Sequence, residues 1–130
     1  MGSRDKVLIV DDSELDRIAL KKMLKDAYEI VEAVDGAGAL RILESQKEFD
    51  AISAIILDLV MPQMDGFDFL REYRKVDSYR RIPVIVASVE CDVKTEKACL
   101  ALGARDFIGK PYDPQIVRFR VENAVRSSEQ

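Results

Sequence analysis

Three short runs of this chain are apolar without interruption: Val7-Leu8-Ile9-Val10, Ala54-Ile55-Ile56-Leu57 and Val84-Ile85-Val86-Ala87. A strand with one wet face alternates polar and apolar residues, whereas a strand covered on both faces does not. The runs therefore predict a sheet sandwiched between helices. Patterns of helical period fill the intervals. Asp11-Asp12-Ser13 can cap a helix carrying Leu15, Ile18, Ala19, Met23 and Leu24. A short second strand fits Glu29 to Val34, and Asp35-Gly36 turns into a helix with Ala39, Leu40 and Leu43. After the third strand, Pro62, Asp65 and Gly66 mark a loop before a helix with Phe67, Leu70 and Tyr73. Pro83 stands at the entry of the fourth strand, where a missing N–H does least harm. A fourth helix fits Val93 to Leu102 with Gly103 as its stop, and Phe107-Ile108 is a short fifth strand. Pro114 opens a fifth helix with Ile116, Val117, Phe119, Val121 and Val125. Connections this short force each helix to cross over and leave the strands parallel. The expected fold is α/β, an open doubly wound sheet with its site at the carboxyl ends of the strands.

Composition narrows the function. The 130 residues carry 20 Lys and Arg against 24 Asp and Glu, a net charge of −4. An acidic surface argues against direct nucleic-acid binding and against docking on anionic membrane. With no histidine, His-ligated zinc, Ser-His-Asp or Cys-His catalysis and a phosphohistidine on this chain are excluded. No apolar run approaches a membrane span of about 18 residues, and the start lacks a signal-peptide pattern. Met1-Gly2-Ser3 invites a myristoylation reading, but Lys6 stands where that pattern wants Ser or Thr. Cys91 and Cys99 on one helix would lie about 12 Å apart, too far for a disulfide. Reduced thiols in a cytoplasmic protein are expected, with Cys99 half-buried.

The residues that end the strands carry the chemistry. The first strand runs into Asp11-Asp12, the third into Asp58 and the fourth into Ser88, and the fifth is followed by Lys110-Pro111. Singly, each has a bland reading: Asp11-Asp12 as helix caps, Ser88 as a turn residue, Lys110 as a solvated lysine. At successive strand ends of one parallel sheet they converge. Three carboxylates that close repel and call for positive charge. A hard divalent cation such as Mg²⁺ suits an all-oxygen site, and Lys110 adds a second positive point. Metal, lysine and hydroxyl around one carboxylate fit phosphoryl transfer to that carboxylate.

The motifs Val10-Asp11-Asp12, Asp58-Leu59-Val60-Met61-Pro62-Gln63-Met64-Asp65-Gly66, Ala87-Ser88 and Gly103-Ala104-Arg105-Asp106-Phe107 running into Lys110-Pro111 resemble, in order and spacing, the receiver domain of two-component response regulators. The likeness extends from Lys6 to about Arg126 and implies a flavodoxin-like (βα)5 sandwich with strand order 2-1-3-4-5. It implies Asp58 as phosphoacceptor, accepting from a sensor histidine kinase or phosphotransfer protein. It implies Mg²⁺, or Mn²⁺ in its place, held by Asp12, Asp58 and the Val60 backbone carbonyl, with Asp11 acting through water. Lys110 would contact a phosphoryl oxygen, Ser88 would move toward it, and Phe107 would be the switch aromatic. Lys110-Pro111 matches a peptide bond that is cis in the family. Val60 and Glu90 would modulate hydrolysis. Asp106 and Arg120 would lie on the face of the fourth helix, fifth strand and fifth helix, where related receivers pair as homodimers. The stretch Phe49 to Ala54 looks one or two residues long for the family.

Other classes fit less well. An aspartyl-phosphate phosphatase needs a second carboxylate two residues past the nucleophile, where this chain has Val60. A nucleotide-binding module wants a Gly-rich loop after the first strand, where two aspartates would repel phosphate. A pseudo-receiver that never accepts phosphate would not need the full set of site residues. The expectation is one receiver domain, residues 1–130 with a core of about 6–126 and no output domain. It would be a switch and not a turnover enzyme.

Overall fold

The computed structural model describes residues 5–46, 51–61, 63–89 and 92–128. Five strands, β1 (Lys6–Val10), β2 (Glu29–Ala33), β3 (Ile52–Asp58), β4 (Val84–Ser88) and β5 (Asp106–Gly109), form one sheet in the order β2-β1-β3-β4-β5. Every pairing is parallel, for example Val10 with Leu57 and Asp58 with Ala87. The helices are α1 (Glu14–Leu24), α2 (Gly36–Ser45), α3 (Gly66–Tyr73), α4 (Asp77–Arg80), α5 (Val93–Ala101) and α6 (Pro114–Ser128). The fold is flavodoxin-like, with the order of strands reversing at the β1–β3 boundary, where such sheets open a crevice.

Side-chain alternation explains why the central runs carry no polar residue. Leu8, Val10, Ile55, Leu57, Val84 and Val86 point to one face and pack with Leu43, Phe69, Leu70, Tyr73 and Cys99 from α2, α3 and α5. Val7, Ile9, Ala54, Ile56, Ile85 and Ala87 point to the other and pack with Leu20, Leu24, Val117, Val121 and Val125 from α1 and α6. Each wholly buried Leu or Ile contributes roughly 1.5–3 kcal/mol. Short side chains start the helices: Ser13, Asp35, Asp65 and Asp92 accept from the backbone N–H three residues on. Gly103 follows α5 at φ +104°, a conformation that ends helices and suits a residue without Cβ.

Some helical details differ from the sequence expectation. The buried stripe of α1 is Leu20 and Leu24, while Leu15 (79% exposed) and Ile18 face outward. On α6, Ile116 and Phe119 are exposed, and Val117, Val121 and Val125 do the packing. In both helices the sheet contact selects one stripe and leaves the other apolar side chains on the surface. Cys99 is fully buried rather than half-buried, which pushes its thiol up. The one-turn α4 was not expected, because four residues carry no period. The predicted fourth and fifth helices are therefore α5 and α6. Pro62, Glu90, Cys91 and, of the stretch from Phe49 to Ala54, Phe49 and Asp50 lie outside the described residues.

Candidate functional site

β1 and β3 are neighbours, so the turn after β1 and the last residue of β3 meet. Asp11, Asp12 and Asp58 each offer a carboxylate oxygen, and these oxygens lie within 4.8 Å of one another. Asp11 and Asp58 are buried and Asp12 is exposed. The Asp11 carboxylate accepts from the Ser13 N–H at 2.9 Å, which fixes it at the start of α1. Gly66 allows the crowding at β3: a Cβ there would stand 2.6 Å from the Asp58 carbonyl oxygen and 2.8 Å from the Leu59 Cα. Its N–H donates to the Leu59 carbonyl at 3.0 Å, closing the loop back onto the strand end.

Lys110 reaches this cluster from the loop after β5. Its N–H donates to the Ser88 carbonyl at 3.0 Å, and the Lys110–Pro111 peptide bond is cis. The ammonium sits 2.8 Å from Asp16, 3.1 Å from Asp11 and 3.4 Å from Asp58. Burial works against the charged lysine. Asp16, Tyr112, Asp11 and Asp58 overturn that effect and hold it above the usual lysine range. Asp58 goes the other way. Burial, with Asp11's charge added, pushes its carboxyl up to about 6, against the pull of Lys110 and a backbone hydrogen bond from Val60. One ammonium therefore does not neutralise the cluster. A hard, all-oxygen donor set with surplus negative charge fits a hard divalent cation such as Mg²⁺.

Ser88 ends β4 and is buried beside the cluster's side of the sheet, paired with Gly109 of β5. Next to it runs a cleft of about 310 Å³ lined by Leu59, Met61, Phe67, Val89 and Thr95 among others. Phe107 on β5 is partly buried against the core layer of α2, α3 and α5. Val60 stands 79% exposed at the rim. Asp106 and Arg120 pair with each other within the chain at 2.7 Å.

Three contributors were missed in the sequence. Asp16 is the nearest carboxylate to Lys110. Arg17 donates to the Asp11 carbonyl at 2.7 Å and pairs with Glu32 at 3.1 Å, tying α1 to β2. Tyr112 lies under Lys110 with its ring centroid 6.0 Å from the ammonium. Its hydroxyl is buried without a hydrogen-bond partner among the described residues, and burial raises its phenol.

Comparison with known proteins agrees with this architecture. The model of the response regulator receiver domain matches residues 7–122, and the chain belongs to that family of two-component signalling proteins, whose general role is that of a phosphorylation switch. It is 37% identical over 117 residues to the two-component response regulator ORR5 of Oryza sativa subsp. japonica, covering 89% of this chain and 85% of that one. It also matches the "Probable transcriptional regulator ycf27" of Cyanophora paradoxa at 32% identity over 98% of this chain, and spans about half (51%) of that relative's length. Among solved structures, the chemotaxis response regulator CheY4 of Vibrio cholerae superposes with a TM-score of 0.85 at 29% identity, covering 94% of this chain and 99% of that one. The receiver domain of the sensor histidine kinase PA1611 of Pseudomonas aeruginosa PAO1 gives a TM-score of 0.84 at 25% identity, covering 95% and 99%. That structure is described with a magnesium ion coordinated in its active-site cleft. No helix among the described residues is long and apolar enough to cross a membrane.

Proposed function

We propose that Asp58 is the phosphoacceptor of a cytoplasmic receiver domain, and that its phosphorylation switches the face built by α5, β5 and α6. The observation that carries this is the convergence of Asp11, Asp12 and Asp58 with Lys110 at the carboxyl ends of the interior strands β1 and β3. An Asp58 carboxylate oxygen attacks the phosphorus of a phosphohistidine on a histidine kinase or phosphotransfer protein. A new O–P bond forms as the P–N bond breaks, and the electron pair and a proton stay with the imidazole. Asp12, Asp58 and the Val60 carbonyl would hold Mg²⁺ (or Mn²⁺), with Asp11 acting through water. The cation would supply charge neutralisation at the phosphoryl oxygens. Lys110 donates to one of those oxygens, and Asp11 orients Lys110.

The switch follows from added charge and acceptor oxygens at the end of β3. Ser88 donates to one oxygen by moving toward it, Phe107 turns inward behind it, and the α5–β5–α6 face changes. That face would dock a partner, a second copy or an attached output segment. Asp106 and Arg120 would exchange their mutual contact for one across a dimer. Val60, exposed at the rim, and Glu90, two positions after Ser88 in the sequence, would tune the lifetime of the acyl phosphate. The chain would assist its own phosphorylation and dephosphorylation without turning over other substrates.

Incubation with acetyl phosphate and Mg²⁺ should add one phosphoryl group by intact mass. Omitting Mg²⁺ or replacing Asp58→Asn should remove the addition. Equal labelling of wild type and Asp58→Asn would defeat the assignment.

A further inference from the structure

Lys110 is shared among three carboxylates, and the closest of them is not part of the acidic cluster. Asp16 Oδ2 lies 2.8 Å from the ammonium, against 3.1 Å for Asp11 and 3.4 Å for Asp58. Asp16 sits in the first turn of α1, where its N–H is taken by the Ser13 cap, so its backbone position is fixed. Its side chain is 36% exposed, whereas Lys110 is only 13% exposed. Lys110 is therefore drawn toward the rim by a carboxylate that water can also satisfy. An ammonium has three donors, of which Asp16 and Asp11 hold two at 2.8 and 3.1 Å. A phosphoryl oxygen on Asp58, itself 3.4 Å away, must draw the third toward it against the pull of Asp16.

We propose that Asp16 is a positioning residue that holds Lys110 toward the rim and competes with the phosphoryl group for its ammonium, lowering the site's affinity for phosphoryl oxygens. This inference rests on Asp58 being the phosphoacceptor. The competition has a physical asymmetry. When Lys110 turns to a phosphoryl oxygen, Asp16 is left partly solvated and loses little. When the phosphoryl group leaves, Asp16 reclaims the lysine. The device would shift the balance toward the unphosphorylated state without touching the phosphorus.

The test is the affinity for beryllofluoride with saturating Mg²⁺, read by calorimetry on the whole chain. Asp16→Asn should bind about threefold more tightly than wild type, within the range of a partly exposed ion pair. The gain should persist at high salt, because a contact with a mostly buried lysine is weakly screened. Glu14→Gln removes the same charge from the same turn and should leave affinity unchanged. In wild type, the Asp16 carboxyl ¹³C resonance should move when beryllofluoride binds, a readout that needs no variant to fold. Unchanged or weaker binding by Asp16→Asn, an equal gain in Glu14→Gln, or a stationary Asp16 resonance would overturn the inference and leave the phosphoacceptor reading intact. If wild type binds no beryllofluoride at all, the phosphoacceptor reading fails and this inference falls with it.

Discussion

Along each central strand, one residue separates two regimes of burial. Val10, Leu57 and Ala87 are apolar and essentially wholly buried, while the next residues, Asp11, Asp58 and Ser88, are polar and only 2%, 8% and 8% exposed. Burial stabilises the first set in proportion to area removed from water. It works against the second set unless charge and hydrogen bonds compensate. The carboxyl of Asp58, pushed up to about 6, reports that the compensation is incomplete. The interior of the sheet therefore serves stability, and its carboxyl edge keeps a charge imbalance that a cation and a phosphoryl group can use.

Opposite responses to substitution would sharpen this contrast. In the interior, Leu57→Ala should cost about 2–5 kcal/mol, read as a lower denaturant midpoint. At the edge, Asp58→Asn should stabilise the metal-free protein at pH 7 by up to about 3 kcal/mol. The sign follows from the raised carboxyl. Asp58 imposes no penalty below its unfolded value of 3.8, and stability is lost as pH rises through about 6. The advantage of Asp58→Asn should therefore grow between pH 4 and pH 7. Mg²⁺ should narrow it by stabilising wild type alone. Asp58→Asn losing stability as Leu57→Ala does would erase the distinction. Gly66→Ala is the edge position that should behave like interior, losing about 1–3 kcal/mol because the Asp58 carbonyl leaves no room for a Cβ.

The two regions also differed in how far the sequence revealed them. The apolar runs of β1, β3 and β4 announced a sheet covered on both faces, and their terminal residues named the cluster, because backbone direction alone delivers strand ends to one edge. Contacts that depend on side-chain reach stayed hidden. Asp16 is brought to Lys110, 94 positions away, only by the fold. The inward stripe of α1 differs from the expected one because Leu15 and Ile18 lie about 180° and about 120° around the helix from Leu24, whereas Leu20, one turn before Leu24, shares its buried face. Tyr112 was passed over because nothing local places its ring under Lys110.

Smaller effects test how the rim and the switch work. Val60 offers no hydrogen bond to orient water at the edge. Val60→Asn should shorten the acyl-phosphate lifetime by about tenfold, the value of one oriented hydrogen bond of about 1.4 kcal/mol. A longer lifetime in that variant would reject the water-orientation argument. Ser88→Ala should leave Asp58 able to accept phosphate and blunt the change in amide exchange over residues 88–120. A full exchange response without the hydroxyl would remove Ser88 from the switch.

Surplus charge at the carboxyl ends of the strands marks Asp58 as the proposed phosphoacceptor. Borohydride reduction of the phosphorylated chain followed by peptide mass mapping tests that assignment most directly, because reduction converts a phosphorylated aspartate to homoserine. Asp58 alone should be converted, and only after incubation with phosphodonor and Mg²⁺. Conversion of Asp11, Asp12 or a carboxylate elsewhere, with Asp58 intact, would contradict it.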